Sequence, residues 1–114
     1  MSIKIFHNPR CSKSRTCLNL LHEKGINPEI VEYLKENPTL EELKDIIQKL
    51  NIEPLDLIRK GEKIYLEMYK GKDLKPSEWL QIMIENPVLI ERPIVINGDK
   101  AIIGRPPEMV LEII

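Results

Sequence analysis

The chain has 114 residues, of which 42% are hydrophobic and 31% charged, and its formal net charge is −1. Such a chain fits one globular domain with a single core, and its charge gives no reason to expect a nucleic-acid or membrane-surface partner. No apolar stretch approaches the roughly 20 residues that span a bilayer. With two cysteines and no signal-peptide pattern, we expect a cytoplasmic protein with reduced thiols.

The first third of the chain has the pattern of a βαβ unit. Residues 2–6 alternate and predict a strand, residues 14–24 have helical spacing, and residues 29–33 predict a second strand. Gly25 supplies the stop at the helix C-terminus. A strand, a helix and a strand within about 32 residues predict that the two strands are parallel.

The middle of the chain is predicted to be helical. Thr39 and Glu42 have the spacing of a capping box, so a helix should cover roughly residues 39–50. Residues 54–86 indicate short helical pieces. Two apolar stripes are predicted to face a core, namely Ile64, Tyr65 and Met68, and then Trp79, Ile82 and Met83.

The last part of the chain predicts a hairpin and a helix. Residues 94–96 and 101–103 are apolar and flank Asn97-Gly98-Asp99, and Asn-Gly suits a primed turn. Residues 104–108 lead into a final helix with prolines at its first turn. Its apolar contacts should come from Met109, Val110, Ile113 and Ile114.

The order of elements predicts the fold. It runs β-α-β-α, then a helical insertion at about residues 36–88, then β-β-α. We expect an α/β protein with a thioredoxin-like fold, in which helices flank a four-stranded mixed sheet. Residues 1–114 would form a single thioredoxin-like domain that carries an inserted helical subdomain.

Cys11 is the strongest candidate for a reactive residue. It follows an apolar strand and an Asn-Pro turn, and Ser14 opens a segment with helical spacing. The thiol should lie at or just before a helix N-terminus, with Arg10, Lys13 and Arg15 close by. The helix dipole and the cations favour a thiolate, which is the nucleophile of thiol chemistry. The alternative is a partly exposed loop cysteine without a role.

Four neighbours of Cys11 are candidate supporting residues. His7 could assist by proton transfer or by packing. Asn8 and Ser14 could hydrogen-bond the loop or an anion on it, or could form the turn and cap the helix respectively. Arg15, in the first helical turn, could touch an anion or be solvated.

Cys17 is expected to be structural. It lies on an apolar helical face with Leu18 and Leu21. Six residues of helix rise about 9 Å, whereas a disulfide with Cys11 needs Cα atoms within about 7 Å. Such a disulfide would require the first turn to unwind, so core packing is the main interpretation and a resolving thiol is the alternative.

Three arginines are candidates for binding an oxyanion. Arg59 follows an apolar pair, Arg92 precedes Pro93, and Arg105 lies beyond the hairpin. In a thioredoxin-like sheet the segment before the first hairpin strand faces the loop of Cys11, so we predict contact with Arg92 and a cis Arg92-Pro93 bond. Three guanidiniums would suit a tetrahedral, doubly charged oxyanion. The alternative is three surface arginines.

Four separated motifs carry a family resemblance that covers essentially the whole chain. Residues 7–15, Arg59 after its apolar pair, residues 91–95 and residues 104–108 resemble the glutaredoxin-coupled arsenate reductase family. The resemblance implies a thioredoxin-like core with an inserted helical subdomain. It also implies that Cys11 is the nucleophile. The oxyanion-binding residues that it implies are Arg59, Arg92 and Arg105.

The resemblance further implies a reaction. The Cys11 thiolate would attack arsenate or a similar oxyanion, glutathione would add, and glutaredoxin would reduce the mixed species and release arsenite. We therefore expect glutathione and glutaredoxin as reductants, no bound cofactor or metal, and a monomer without nucleic-acid or membrane partners. The basic loop, with Arg10 and Lys13, is closer to a less characterised housekeeping branch of the family.

Three other functions are compatible with parts of the sequence. A general glutathione-linked thiol oxidoreductase of unknown substrate needs Cys11 but not three arginines. A redox-linked transcriptional regulator that binds RNA polymerase would use a Cys-x-x-Cys switch, and here Ser14 occupies the second position. A phosphatase-like enzyme would need Cys-x5-Arg, and the residue six positions after Cys11 is Cys17.

Overall fold

The computed structural model describes residues 3–114, so Ser2 of the predicted first strand lies outside the described residues. The chain forms two compact units, one made of the chain up to Glu36 together with Arg92–Ile114 and the other of Asn37–Glu91. The second unit coincides closely with the predicted insertion at about residues 36–88. A single domain over residues 1–114 stays a prediction.

The first unit contains a four-stranded mixed sheet with the order β2-β1-β3-β4. Its strands are β1 (Ile3–Phe6), β2 (Glu29–Val31), β3 (Ile94–Asn97) and β4 (Lys100–Ile103). Strand β1 pairs parallel with β2 and antiparallel with β3, which itself pairs antiparallel with β4. The predicted thioredoxin-like α/β sheet and its parallel first pair are confirmed.

Strand β2 is shorter than the predicted residues 29–33. It ends at Val31 because the chain turns immediately afterwards, with the N–H groups of Lys35 and Glu36 both donating to the carbonyl of Glu32. The segment after β2 therefore leaves the sheet beside the end of β1.

Helix α1 (Ser12–Glu23) begins two residues before the predicted start at residue 14. Cys11 is its extended N-cap residue, and the carbonyl of Cys11 accepts a hydrogen bond from the N–H of Arg15. The predicted end is confirmed, since Gly25 has a φ of +77° that suits glycine. The predicted placement of Cys11 at a helix start is therefore confirmed.

The core of the first unit forms between α1 and the sheet. Cys17 and Leu21 are fully buried in one cluster with Ile5, Val95 and Val110. Burial raises the pKa of the Cys17 thiol to about 11. The predicted packing role of Cys17 is confirmed.

The hairpin turns one residue later than its Asn-Gly signal suggested. Asn97 pairs with Lys100 inside the ladder, so Gly98 and Asp99 are the central residues of the turn. Gly98 has a φ of +64°, as the first central position of a primed turn allows. The side-chain amide of Asn97 donates to the carbonyl of Ile113, which holds Asn97 in the strand.

The final helix is a 3₁₀ helix over Pro107–Glu112 rather than an α-helix. Val110 is buried and Ile113 packs against the core cluster, as predicted. Ile114 is 39% exposed, so its predicted core contact is wrong. The helix has ended at Glu112, so Ile114 no longer follows the helical spacing on which that prediction rested.

The second unit is helical, as predicted. Helix α2 (Leu40–Leu50) begins at Thr39, where both hydrogen bonds of the predicted capping box are present. Helix α3 (Pro76–Glu85) buries the predicted stripe of Trp79, Ile82 and Met83. Short 3₁₀ segments cover Pro54–Leu57 and Pro87–Leu89. Within residues 3–114, no helix has the length and apolar character needed to cross a membrane.

One predicted stripe of this unit is wrong. Met68 is 56% exposed, whereas Tyr65 is buried. The backbone at Tyr65–Tyr69 is a π-helical turn, with the N–H of Lys70 donating to the carbonyl of Tyr65. The wider turn changes the angular spacing of the side chains, so the α-helical stripe assumed from sequence does not form.

We predict that Gly104→Ala destabilises the protein. An added Cβ would lie 3.0 Å from Sγ of Cys17 and 3.1 Å from Cγ of Pro93, so the core must shift. The free energy of unfolding in urea should fall by about 1–3 kcal/mol. Gly61→Ala is the control, because nothing lies within 4 Å of its added Cβ. Equal losses in the two variants would contradict this explanation.

Candidate active site

The candidate site is built on residues 7–11, which connect β1 to α1 and are called the nucleophile loop below. The N–H of Cys11 donates to the carbonyl of Asn8 over 3.0 Å and closes a tight turn. The N–H of Arg10 donates to Oδ1 of Asn8 over 3.0 Å. The turn-forming role expected of Asn8 is confirmed, and it places Cys11 directly at the start of α1.

The buried hydroxyl of Ser14 is hydrogen-bonded to the start of this loop. Ser14 is fully buried, and its Oγ lies 2.6 Å from Nδ1 of His7. The same Oγ accepts a hydrogen bond of 3.0 Å from the N–H of Asn8. The predicted capping role of Ser14 is wrong, because Cys11 is the N-cap residue and the hydroxyl of Ser14 points back to the strand end.

His7 is a buried, neutral partner in this arrangement. Burial lowers its pKa from the ordinary value, the charge of Glu32 opposes that effect, and the charge of Arg15 adds to it. Because Nδ1 is engaged by Ser14, the geometry supports packing rather than proton transfer. Sequence reasoning missed Glu32, although the predicted parallel pairing of β1 and β2 placed the ends of those strands together.

Arg15 supports the nucleophile loop from the helix side. Its Nη1 donates to the carbonyl of Pro9 over 2.8 Å. The side chain of Arg15 is thus hydrogen-bonded to the nucleophile loop. Contact between Arg15 and an anion stays a prediction.

Cys11 has an environment that favours the thiolate. Partial burial alone would raise the pKa of this thiol, but the N–H of Ser14, the guanidinium of Arg92 and the N–H of Lys13 outweigh burial and lower the pKa. Two of these groups belong to the first turn of α1, where N–H groups lack partners within the helix. The predicted lowering of the Cys11 pKa is confirmed. The positive charge that contributes to it belongs to Arg92 and not to the basic residues next to Cys11 in the sequence.

Arg92 contacts Cys11 from the segment that precedes β3, the antiparallel neighbour of β1. Its guanidinium lies close enough to the sulfur of Cys11 to lower the pKa of the thiol. Its Nε and Nη1 are buried and have no hydrogen-bond partner in the described part of the chain. Buried donors are normally satisfied, so this guanidinium has hydrogen bonds to offer to an anion at the thiol. The predicted contact is confirmed, as is the cis Arg92-Pro93 bond.

The other two arginines have different surroundings. Arg105 is exposed and precedes Pro106 with a cis bond that the sequence did not predict. Arg59 belongs to the second unit, where its Nη1 lies 2.7 Å from Oε1 of Glu62 and its Nε 3.8 Å from Oε1 of Glu91. Oxyanion binding by Arg59 and Arg105 stays a prediction.

Residues 3–114 contain no group of three or more His, Cys, Asp or Glu that could hold a metal ion. Both cysteines are free thiols. The chemistry that the described residues support is therefore that of one accessible thiolate beside a buried guanidinium.

Known proteins resemble the chain over its whole length. Residues 6–113 match the model of the ArsC family. An arsenate reductase of Haemophilus influenzae is 48% identical to this chain, and the match covers 100% of both sequences. The arsenate reductase of Escherichia coli is 36% identical over 99% of this chain and 81% of its own. A solved arsenate reductase structure from Vibrio cholerae has a TM-score of 0.96 at 46% identity and covers 100% of this chain and 98% of its own.

We predict that Arg92→Gln raises the pKa of Cys11 toward the ordinary value of about 8.5. The change removes the positive charge that favours the thiolate, so alkylation by iodoacetamide at pH 7 should slow. The rate measured against pH gives the pKa directly. Arg10→Gln is the control, since Arg10 is adjacent in sequence but contributes no stabilising charge to the thiolate. A pKa shift of the same size in Arg10→Gln would contradict the assignment.

We predict that Ser14→Ala lowers the free energy of unfolding by about 1–3 kcal/mol. The change leaves the buried ring nitrogen of His7 and the N–H of Asn8 without their partner. Urea denaturation measures the loss. Ser12→Ala, at an exposed position of the same helical turn, should have a small effect, and a comparable loss there would show that the buried contacts are not the cause.

Proposed function

The chain belongs to the ArsC family, and we propose that it reduces arsenate to arsenite with Cys11 as the nucleophile. The observation that carries the proposal is the pairing of a thiol of lowered pKa with the unpartnered donors of Arg92. Relatives named arsenate reductase, 36% and 48% identical to this chain, support the same substrate.

The proposed reaction begins with the Cys11 thiolate attacking arsenic. An S–As bond forms, one oxygen leaves as water, and arsenic remains As(V). A first external thiol then replaces a second oxygen, which also leaves as water. A second thiol attacks the sulfur of the first and forms a disulfide, and the electron pair of the broken S–As bond reduces arsenic to As(III). Water finally displaces Cys11 and releases arsenite.

Arg92 has the clearest role in the first of these steps. Arsenate carries negative charge on a tetrahedral set of oxygens, and a guanidinium can donate two parallel hydrogen bonds to such a group. Donors that are already in place stabilise the charge of the transition state without reorganisation. Arg59 and Arg105 are proposed as further oxyanion ligands on the family resemblance, and at Arg59 an oxyanion would compete with the carboxylate of Glu62.

The two external thiols are proposed to be glutathione and the cysteine of glutaredoxin. Cys17 is poorly suited to resolve the adduct, because it is fully buried and burial raises its pKa to about 11. The reducing equivalents must then come from outside the chain. A cytoplasmic location and a monomeric state go with this proposal as predictions.

Two of the alternative functions can be compared with the structure, and both have less support. A general thiol oxidoreductase would use the lowered pKa that Arg92 gives Cys11, but its substrate has no oxyanion to accept hydrogen bonds from the unpartnered Nε and Nη1 of Arg92. A regulator with a Cys-x-x-Cys switch would need a second thiol at Ser14, and the buried hydroxyl there is already hydrogen-bonded to the loop. Oxyanion chemistry is therefore the function that the arrangement favours.

We predict that the purified protein reduces arsenate in the presence of glutathione and glutaredoxin, and that Cys11→Ser abolishes turnover. Arsenite formation is the measurement. Cys17→Ser should retain turnover while lowering the free energy of unfolding, because a hydroxyl would be buried in an apolar cluster. An inactive protein whose Cys11 is still alkylated rapidly at pH 7 would contradict arsenate as substrate and leave thiol chemistry in place.

A further inference from the structure

The backbone of Arg59 is held in place inside the second unit. An antiparallel bridge joins the buried residues Ile58 and Ile90. On this bridge the N–H groups of Arg59 and Glu91 each donate to a carbonyl of the opposite segment, over 2.7 and 2.8 Å respectively. The bridge therefore keeps the chain at Arg59 beside the chain at Glu91.

Two carboxylates surround the guanidinium of Arg59. Its Nη1 lies 2.7 Å from Oε1 of Glu62, and its Nε lies 3.8 Å from Oε1 of Glu91. The side chains of Arg59, Glu62 and Glu91 are 22%, 27% and 22% exposed, so solvent screens these pairs less than it screens pairs on the surface. Two negative charges thus face one positive charge, and this group disfavours a further anion until one carboxylate moves away.

Glu62 is the carboxylate that is better placed to move. It belongs to the turn that follows Arg59, after the exposed residues Lys60 and Gly61, and its N–H donates to the carbonyl of Arg59 over 3.2 Å. Rotation of the Glu62 side chain would release Nη1 of Arg59 without disturbing the backbone bridge. Glu91 belongs to the bridge itself and is the more distant of the two carboxylates.

We propose that Glu62 determines the affinity of Arg59 for the oxyanion by competing with it for the guanidinium. The inference rests on the proposed function, in which Arg59 is an oxyanion ligand. Without the oxyanion, Glu62 neutralises Arg59; when the oxyanion binds, the contact between Nη1 and Glu62 breaks and the oxyanion accepts the donor instead. Because part of the binding free energy displaces Glu62, the oxyanion binds more weakly than it would to a guanidinium without this partner.

Sulfate tests the competition, because it is a tetrahedral dianion that does not react with thiols. Glu62→Gln keeps the size of the side chain and an oxygen acceptor for Arg59 but removes the negative charge. The dissociation constant of sulfate, measured by NMR titration of the nitrogen-15-labelled full chain, should fall about tenfold, the factor that corresponds to one moderate charge-assisted hydrogen bond. An unchanged dissociation constant would overturn the proposal.

Glu67→Gln is the matched control, because it removes the same charge from the same unit. Oε1 of Glu67 lies 3.9 Å from Nζ of Lys63, and its side chain is 61% exposed. Sulfate should bind this variant as it binds the unmodified sequence. An equal gain in affinity in Glu67→Gln would overturn the proposal, because the effect would then be one of net charge.

A double-mutant cycle isolates Arg59 from other places where sulfate could bind. In an Arg59→Gln background, Glu62→Gln should no longer change the dissociation constant, because the guanidinium for which the two anions compete is absent. A gain in affinity that persists without Arg59 would overturn the proposal.

Arsenate reduction gives a second readout. Glu62→Gln should lower KM for arsenate about tenfold and change kcat much less, because displacement of Glu62 weakens the binding of the substrate and of the transition state alike. A lower kcat without a fall in KM would show that Glu62 positions Arg59 and does not compete for it. Sulfate binding requires no turnover, so a failure of arsenate reduction and a failure of this competition are separate results.

Discussion

The hydroxyl of Ser14 ties the end of strand β1 to the start of helix α1, and the chemistry of Cys11 depends on that connection. It lies 2.6 Å from Nδ1 of His7 and accepts the N–H of Asn8. The backbone N–H groups of Ser14 and Lys13 are among those that lower the pKa of Cys11. A buried contact that fixes the first helical turn therefore also fixes the donors that stabilise the thiolate, at the helix end where such donors are free.

The two thiols show how strongly position in the same helix controls reactivity. Cys11 caps the helix and has a lowered pKa, whereas burial raises the pKa of Cys17 to about 11. N–H donors and a guanidinium stabilise the thiolate form of Cys11, whereas burial away from water destabilises the thiolate form of Cys17. One chain thus presents one nucleophile, and the proposed reaction takes its remaining thiols from outside.

Strand pairing in the sheet places the positive charge of Arg92 beside Cys11. Phe6, at the end of β1, pairs with Ile94, the first residue of β3, and Arg92 lies two residues before that pair. Antiparallel pairing consequently brings Arg92 to the nucleophile loop, although 81 positions separate it from Cys11 in the sequence. The basic residues next to Cys11 in the sequence have other contacts. Arg15 donates to the carbonyl of Pro9, and Arg10 lines a cleft between the nucleophile loop and the segment after β2.

The sequence by itself determined the order of strands and helices, the burial of Cys17 and the position of Cys11 at a helix start, because periodicity and turn residues are local signals. The contact of Arg92 with Cys11 could be predicted only through the thioredoxin-like sheet that those elements and the family motifs indicated. The tertiary structure decided which donors and acceptors form hydrogen bonds with each other. Ser14 bonds the strand end instead of capping the helix, and Asn97 stays in its strand because Ile113 accepts its amide. Met68 is exposed because the backbone widens into a π-helical turn. These outcomes depend on groups distant in sequence or on backbone geometry that residue spacing does not encode.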